Sequence, residues 1–319
     1  MPNYYSVETY ERLILLIVIS IMCPLTTLCK ELSASAQSII PVPVQQIVSI
    51  DYTTLRDLSP AQSLKAHLFP EIFKRFDIQL REFGIDTDYD INSLTFATYR
   101  GAAQQANMIV VVEGVFSEDR LFEHLLRKKI HPQWYGGAAL YGISGDIEMT
   151  LVDGSTLLFG NLAAIEGALD TLTGLTPAVP TDTSVYEMMK AVNSAPVWSI
   201  LDAAGTRNMV QSALEKAAQI IDMSAINRSL VGCGYSLNFS AGATFDVEVH
   251  TSDLVLASVV ANLIKMGIYL RMNSKTSEKP FLNDVDVETN GLNVQIHFSV
   301  DTERLESVLD SDLFAALSR

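Results

Sequence analysis

Cysteine is nearly absent from this chain: three residues in 319, two of which, Cys23 and Cys29, fall in one apolar segment near the start. If that segment is removed, Cys233 stands alone, no intrachain disulfide forms, and the core must hold the fold. Lys and Arg are also scarce, 22 against 37 Asp and Glu, for a formal net charge of −15. A surface of that sign repels phosphate backbones and no Lys/Arg cluster interrupts it, which argues against nucleic acid as a partner. The short motifs that carry chemistry are missing too. There is no P-loop, dinucleotide fingerprint or H-E-x-x-H, and neither "GISGD" nor "DGSTLLFG" fits the G-x-S-x-G elbow of a serine nucleophile. These absences leave no catalytic residue and no cofactor to assign.

Only one long apolar run stands at the N-terminus. "LILLIVISIMCPLTTL", Leu13 to Leu28, is short for a membrane span and contains Pro24. It follows Arg12 and precedes Ala34-Ser35-Ala36, the layout of a secretory signal cleaved after Ala36. Glu8 and Glu11 in the leading segment depart from that layout, and the alternative is a retained anchor, the chain's one membrane contact. Either way the protein is expected to be exported, in the periplasm or at the cell surface.

What remains is 48% hydrophobic across the whole sequence and moderately charged, long enough for two domains with real cores. Asp153-Gly154 and Asn290-Gly291 sit between alternating apolar flanks, the signature of type I′ hairpins. Two strands followed by a helix recur four times. The units begin at "INSLTFATYRG", "DIEMTLVDGSTLLFGN", "SLVGCGYSLNFSAGATFDVEVH" and the Asn290-Gly291 hairpin. Ahead of each pair comes a strand and a helix, "QQIVSIDYTTL" with "FPEIFKRFDIQLREFG", then "APVWSILDAAG" with "NMVQSALEKAAQIID". The expectation is an α+β protein of two tandem β-α-ββα-ββα modules, each a mainly antiparallel sheet with helices packed on one face. Residues 37–175 form the first module, 176–184 a Pro- and Thr-rich linker, and 185–319 the second.

Two stretches offer candidate sites. In "ATFDVEVH", Asp246, Glu248 and His250 alternate with Phe245, Val247 and Val249; in "NDVDVE", Asp284, Asp286 and Glu288 alternate with Val285 and Val287; and His297 holds the outward face of the partner strand. On neighbouring strands these groups share one surface, where they suit a divalent cation or acid–base work; outward positions on a one-sided sheet are also polar by default. The second stretch is the helix "SDLVLASVVANLIKMGIYLRM", apolar around most of its circumference. A central helix, a homodimer interface and the wall of an apolar ligand site, with Leu254, Val255, Val259 and Ile268 as lining, all fit such an arc. "NMIVVVEGVF" is apolar on both faces and predicts a strand covered on both sides. "GIDTDYDIN" lacks the Gly and the Glu that a calcium loop needs at its sixth and twelfth positions. Cys233, with no base or cation near it in sequence, reads as a buried hydrophobe.

"FPEIFKRF", "DINSLTFATY", "VVVEGVFS", "LVDGSTLLFGN", "AIEGALD" and "SAPVWSILD" together resemble a group of uncharacterised exported bacterial proteins built from tandem strand–helix and hairpin–helix modules. The resemblance implies export and a tandem α+β fold. It brings no activity and hence no functional residues. The expected function is non-enzymatic: a surface for an apolar ligand or an envelope protein, with a metal-binding protein or hydrolase using Asp246, Glu248, His250 and His297 as the alternative.

Overall fold

The computed structural model describes residues 32–56, 78, 80–101, 105–214, 223–239, 242–272 and 285–301. The apolar run at Leu13 to Leu28, most of the first long helix and the C-terminal helix expected after Val300 lie outside them. Among the described residues no helix is long and apolar enough to cross a membrane.

In chain order the elements are α1 (Ala34–Ile39), β1 (Val44–Asp51), α2 (Tyr52–Arg56), β2 (Ile91–Arg100), β3 (Ala106–Gly114) and α3 (Glu118–Arg127). Next come β4 (Gln133–Tyr135), β5 (Ala138–Ser144), β6 (Ile147–Asp153), β7 (Thr156–Gly160) and α4 (Leu162–Leu172), then a 3-10 turn (Val179–Thr181) and α5 (Thr183–Val192). The remainder is β8 (Val197–Asp202), α6 (Ala203–Ala213), α7 (Ser224–Ser229), β9 (Leu230–Asn238), β10 (Ala243–Thr251), α8 (Leu254–Met272), β11 (Val285–Asn290) and β12 (Asn293–Val300).

Among the described residues twelve strands join one antiparallel sheet, in the order β11-β12-β10-β9-β8-β1-β2-β3-β7-β6-β5-β4. β1 and β8, the strands that open the two halves, lie side by side with Val48 opposite Ser199 and Ile50 opposite Val197. Outward from that pair the order is the same on each side: β1-β2-β3-β7-β6 and β8-β9-β10-β12-β11. The first half then carries the additional β5 and β4. The fold is thus α+β around a large antiparallel sheet, and its halves meet edge to edge.

The helices do not keep to a single face. Leu121 and Leu125 of α3 share a core with Val110 and Val112 of β3, while Ile165, Ala168 and Leu169 of α4 pack with Ile109 and Val111 on the other side. The two-sided apolar pattern of β3 is explained by this pair of helices. α1 lies with α4: Ala36, Ile39 and Ile40 are completely buried, and the Ser33 hydroxyl accepts from Ala36 N to cap the helix. Val179, inside the expected linker, is also fully buried and donates its N–H to Ile40 O.

The hairpins fall where expected, but their turn chemistry differs. At β6–β7 the loop residues are Gly154 and Ser155, and neither has positive φ; Asp153 Oδ1 instead accepts from Ser155 N and Oγ, both at 2.8 Å. At β11–β12 Gly291 has φ +61 and Leu292 does not follow it, the pattern of a type II′ turn. The turn with two positive-φ residues is Gly136-Gly137, between β4 and β5.

Candidate functional site

The side chains that alternate outward on β9, β10, β12 and β11 form three rows across the second half. Ser236, Asp246, His297 and Asp286 make the first; Gly234, Glu248, Gln295 and Glu288 the second; Gly232, His250, Asn293 and Asn290 the third. Their opposite faces carry Cys233, Val247, Val249, Val287 and Val294, which form a core with Ala257, Val260 and Ala261 of α8. Strict alternation therefore gives one face to the core and leaves the other polar.

On the polar face α5 lies over β8 and β9. Its seat is made by two glycines: a Cβ on Gly232 would collide with Met188 Sδ, and one on Gly234 would come 2.9 Å from Val192 Cγ1. Asp182 caps the helix through Ser184 N and Val185 N. Beyond it, among the described residues, no helix lies over β10, β12 and β11. The step from α5 down to the open strands makes a cleft of about 280 Å³, walled by Ala191 and Val192 and lined by Ser236, Asp246, Glu248, Asp286, Glu288 and His297 among others. Among the described residues no Lys or Arg lines it.

The polar groups hold one another in place. His297 Nδ1 lies 2.7 Å from Asp246 Oδ1, both side chains about half exposed. Asn293 Nδ2 donates to Glu248 Oε1 at 2.6 Å, and Asn293 Oδ1 lies 3.1 Å from His250 Nδ1. Three of the four sequence-derived polar candidates, Asp246, Glu248 and His297, thus line the cleft. His250 sits two rows from His297, roughly 13 Å along the strands at about 3.3 Å per residue. Among the described residues no three His, Cys, Asp or Glu side chains are placed to hold a metal ion. Ser236 stands directly beside Asp246, but β10 separates it from His297, so within this row no hydroxyl is set against the imidazole that would have to take its proton. What the cleft can do is accept hydrogen bonds and positive charge.

Leu254, Val255 and Val259 are on the solvent side of α8, with Leu254 at 61% and Val255 at 72% exposure, and Ile268 packs partly against the core. That helix is on the sheet face opposite the cleft. Cys233 is fully buried with its thiol pushed up to about 12, first by burial and then by the charge of Glu248. Asp86, Asp88 and Asp90 are tied up locally: Arg81 Nη2 pairs with Asp88 at 2.7 Å, and Asp90 Oδ2 accepts from Asp86 N. The contributions that residue-by-residue reading missed are Gly234, Ala191 and Val192. The "GCG" around Cys233 was their signal: two side-chain-free positions on one face of a strand admit a close neighbour.

No protein-family model and no curated protein matches the chain. Solved structures do. The fold is similar to that of TP0453. Crystal form I of TP0453 superposes with a TM-score of 0.51 over 87% of this chain and 97% of that one, at 10% identity. Crystal form IV gives 0.48 over 86% and 96%, also at 10% identity. At such identity the likeness to TP0453 concerns the path of the backbone alone. It supports the α+β sheet and assigns nothing to the cleft.

Proposed function

We propose that this chain is a non-enzymatic, extracytoplasmic binding protein whose second half receives cationic groups of an envelope partner in the cleft beside α5. The supporting observation is the cleft lining: Asp246, Glu248, Asp286 and Glu288 on neighbouring strands of one sheet, with no cation among the described residues that line it. Such a field attracts and orients a positively charged partner more than it sets raw affinity, and the cleft volume suits a few side chains better than a whole small-molecule ligand. Oriented hydrogen bonds from Asn293 and Gln295 to Glu248 preset part of the lining before any partner arrives.

The test is titration of the full chain with tetralysine, with tetraglutamate as control, at low and high salt. Tetralysine is expected to bind weakly, to weaken as salt rises, and to be lost when Asp246→Asn, Glu248→Gln, Asp286→Asn and Glu288→Gln are combined. Equal binding by that fourfold variant would place the cationic surface elsewhere and end the reading. Native mass spectrometry of the same protein separates it from an apolar carrier, which would retain extra mass that organic solvent removes.

A further inference from the structure

We infer that the occupant of the cleft is an extended segment of a partner protein that adds as a further strand on β11, with Lys or Arg alternating with apolar residues. This rests on the cationic-partner reading above and adds how the partner is held. β11 ends the sheet, and among the described residues its one partner is β12. Its outer edge presents backbone N–H and C=O groups, the template that strand addition uses.

The two faces of β11 specify what may lie beside it. Asp286 and Glu288 line the cleft. On the other face Val287 is buried in the core under α8, and Val285 packs against the margins of two cores. Side chains of an added strand obey the same alternation, so those on the cleft side meet carboxylates and those on the other side meet Val285 and Val287. Cations on one side and β-branched apolar residues on the other satisfy both. A second copy's β11 does not fit, because it would set Asp286 and Glu288 against their own counterparts, and like charges placed opposite are destabilising. The same two carboxylates thus guard the edge against self-association while leaving it open to a basic strand.

The probes are the hexapeptide Lys-Val-Lys-Val-Lys-Val with blocked ends, its Glu-Val counterpart, and two N-methylated forms of the Lys-Val peptide. One form is methylated on every Lys amide nitrogen, the other on every Val amide nitrogen. In an added strand alternate N–H groups face β11 and the remainder face solvent. One methylated form should therefore bind at least about tenfold more weakly than the parent while the other binds like it, the lost edge hydrogen bonds accounting for the difference. The Glu-Val peptide should not bind, and Asp286→Asn with Glu288→Gln should weaken the parent. Equal affinity for both methylated forms would overturn strand addition and leave the cationic cleft standing. Binding of tetralysine without binding of the Lys-Val peptide would do the same. Failure of both probes to bind would remove the cleft reading itself.

Discussion

At Gly232 the lack of a Cβ leaves the space that Met188 of α5 occupies. The smallest side chain at that position would meet Met188 Sδ and come 3.1 Å from Leu201 O, so the buried Met188 must turn out of its place to admit it. Gly232→Ala is expected to cost about 1–3 kcal/mol in urea unfolding, the range for overpacking. Adding Met188→Ala should recover part of it, whereas strictly additive losses would mean that the helix does not rest there. Cys233, one residue on, faces the other way into the core under α8, and its thiol rises from an ordinary 9.0 to about 12. The folded protein then binds more protons than the unfolded chain across that window, so stability falls as pH climbs from about 9 toward 12. Tyr99, raised from 10.0 to about 12 chiefly by burial, adds to the same alkaline loss from pH 10 upward. Comparing unfolding at pH 8 and pH 10.5, Cys233→Ala should show the smaller drop; an unchanged drop would assign it to other groups. The thiol should also stay unreactive toward a disulfide reagent until the protein unfolds.

Elements were legible where one period decides them. "ATFDVEVH" and "NVQIHFSV" alternate apolar and polar residues strictly, and their pairing in the structure sets Asp246 opposite His297 as that alternation requires. Turns were legible as places but not as conformations. Asp153 serves the β6–β7 turn through its side chain, a local hydrogen bond that the dipeptide signature does not distinguish from a positive φ. The wall of the cleft was not legible at all, because α5 is brought to β9 from forty residues upstream by a packing match between glycine and methionine. α1 shows the same limit. Residues 32–36, counted with the signal segment by composition, contribute Leu32 and Ala36 to the core and Ser33 as the cap of the helix. A chain beginning at Gln37 loses the cap, worth about 1 kcal/mol, and the burial of Leu32, worth about 2 kcal/mol. It should unfold at a lower denaturant concentration than one beginning at Leu32. Coincident curves would mean that α1 contributes nothing to the core it touches.

At the scale of the molecule, tandem sequence and a single sheet pull in different directions. Two modules written one after the other, with Pro-rich residues between, invite the picture of two bodies unfolding separately. The connections argue otherwise. β1 is hydrogen-bonded to β2 on one side and to β8 on the other, so the first strand of each half completes the ladder of its neighbour. One core runs from Ile165 and Leu169 of α4 through Ile47 of β1 to Trp198 and Ile200 of β8, with Met188 and Met189 of α5. On the opposite face Val197, Leu237, Phe298 and Val300 from the second half pack with Leu94, Phe96 and Val110 from the first. Separating the halves would expose both seams and leave β1 and β8 as unprotected central edges. The protein should therefore unfold in one calorimetric transition whose van't Hoff enthalpy matches the measured heat, even though a chain of this length ordinarily invites intermediates. Two resolved transitions would show that the β1–β8 seam is weaker than either half. Trp198, completely inside the shared core, supplies the local reading: its fluorescence change should coincide with the loss of far-ultraviolet circular dichroism, and an earlier change would mark the seam opening first.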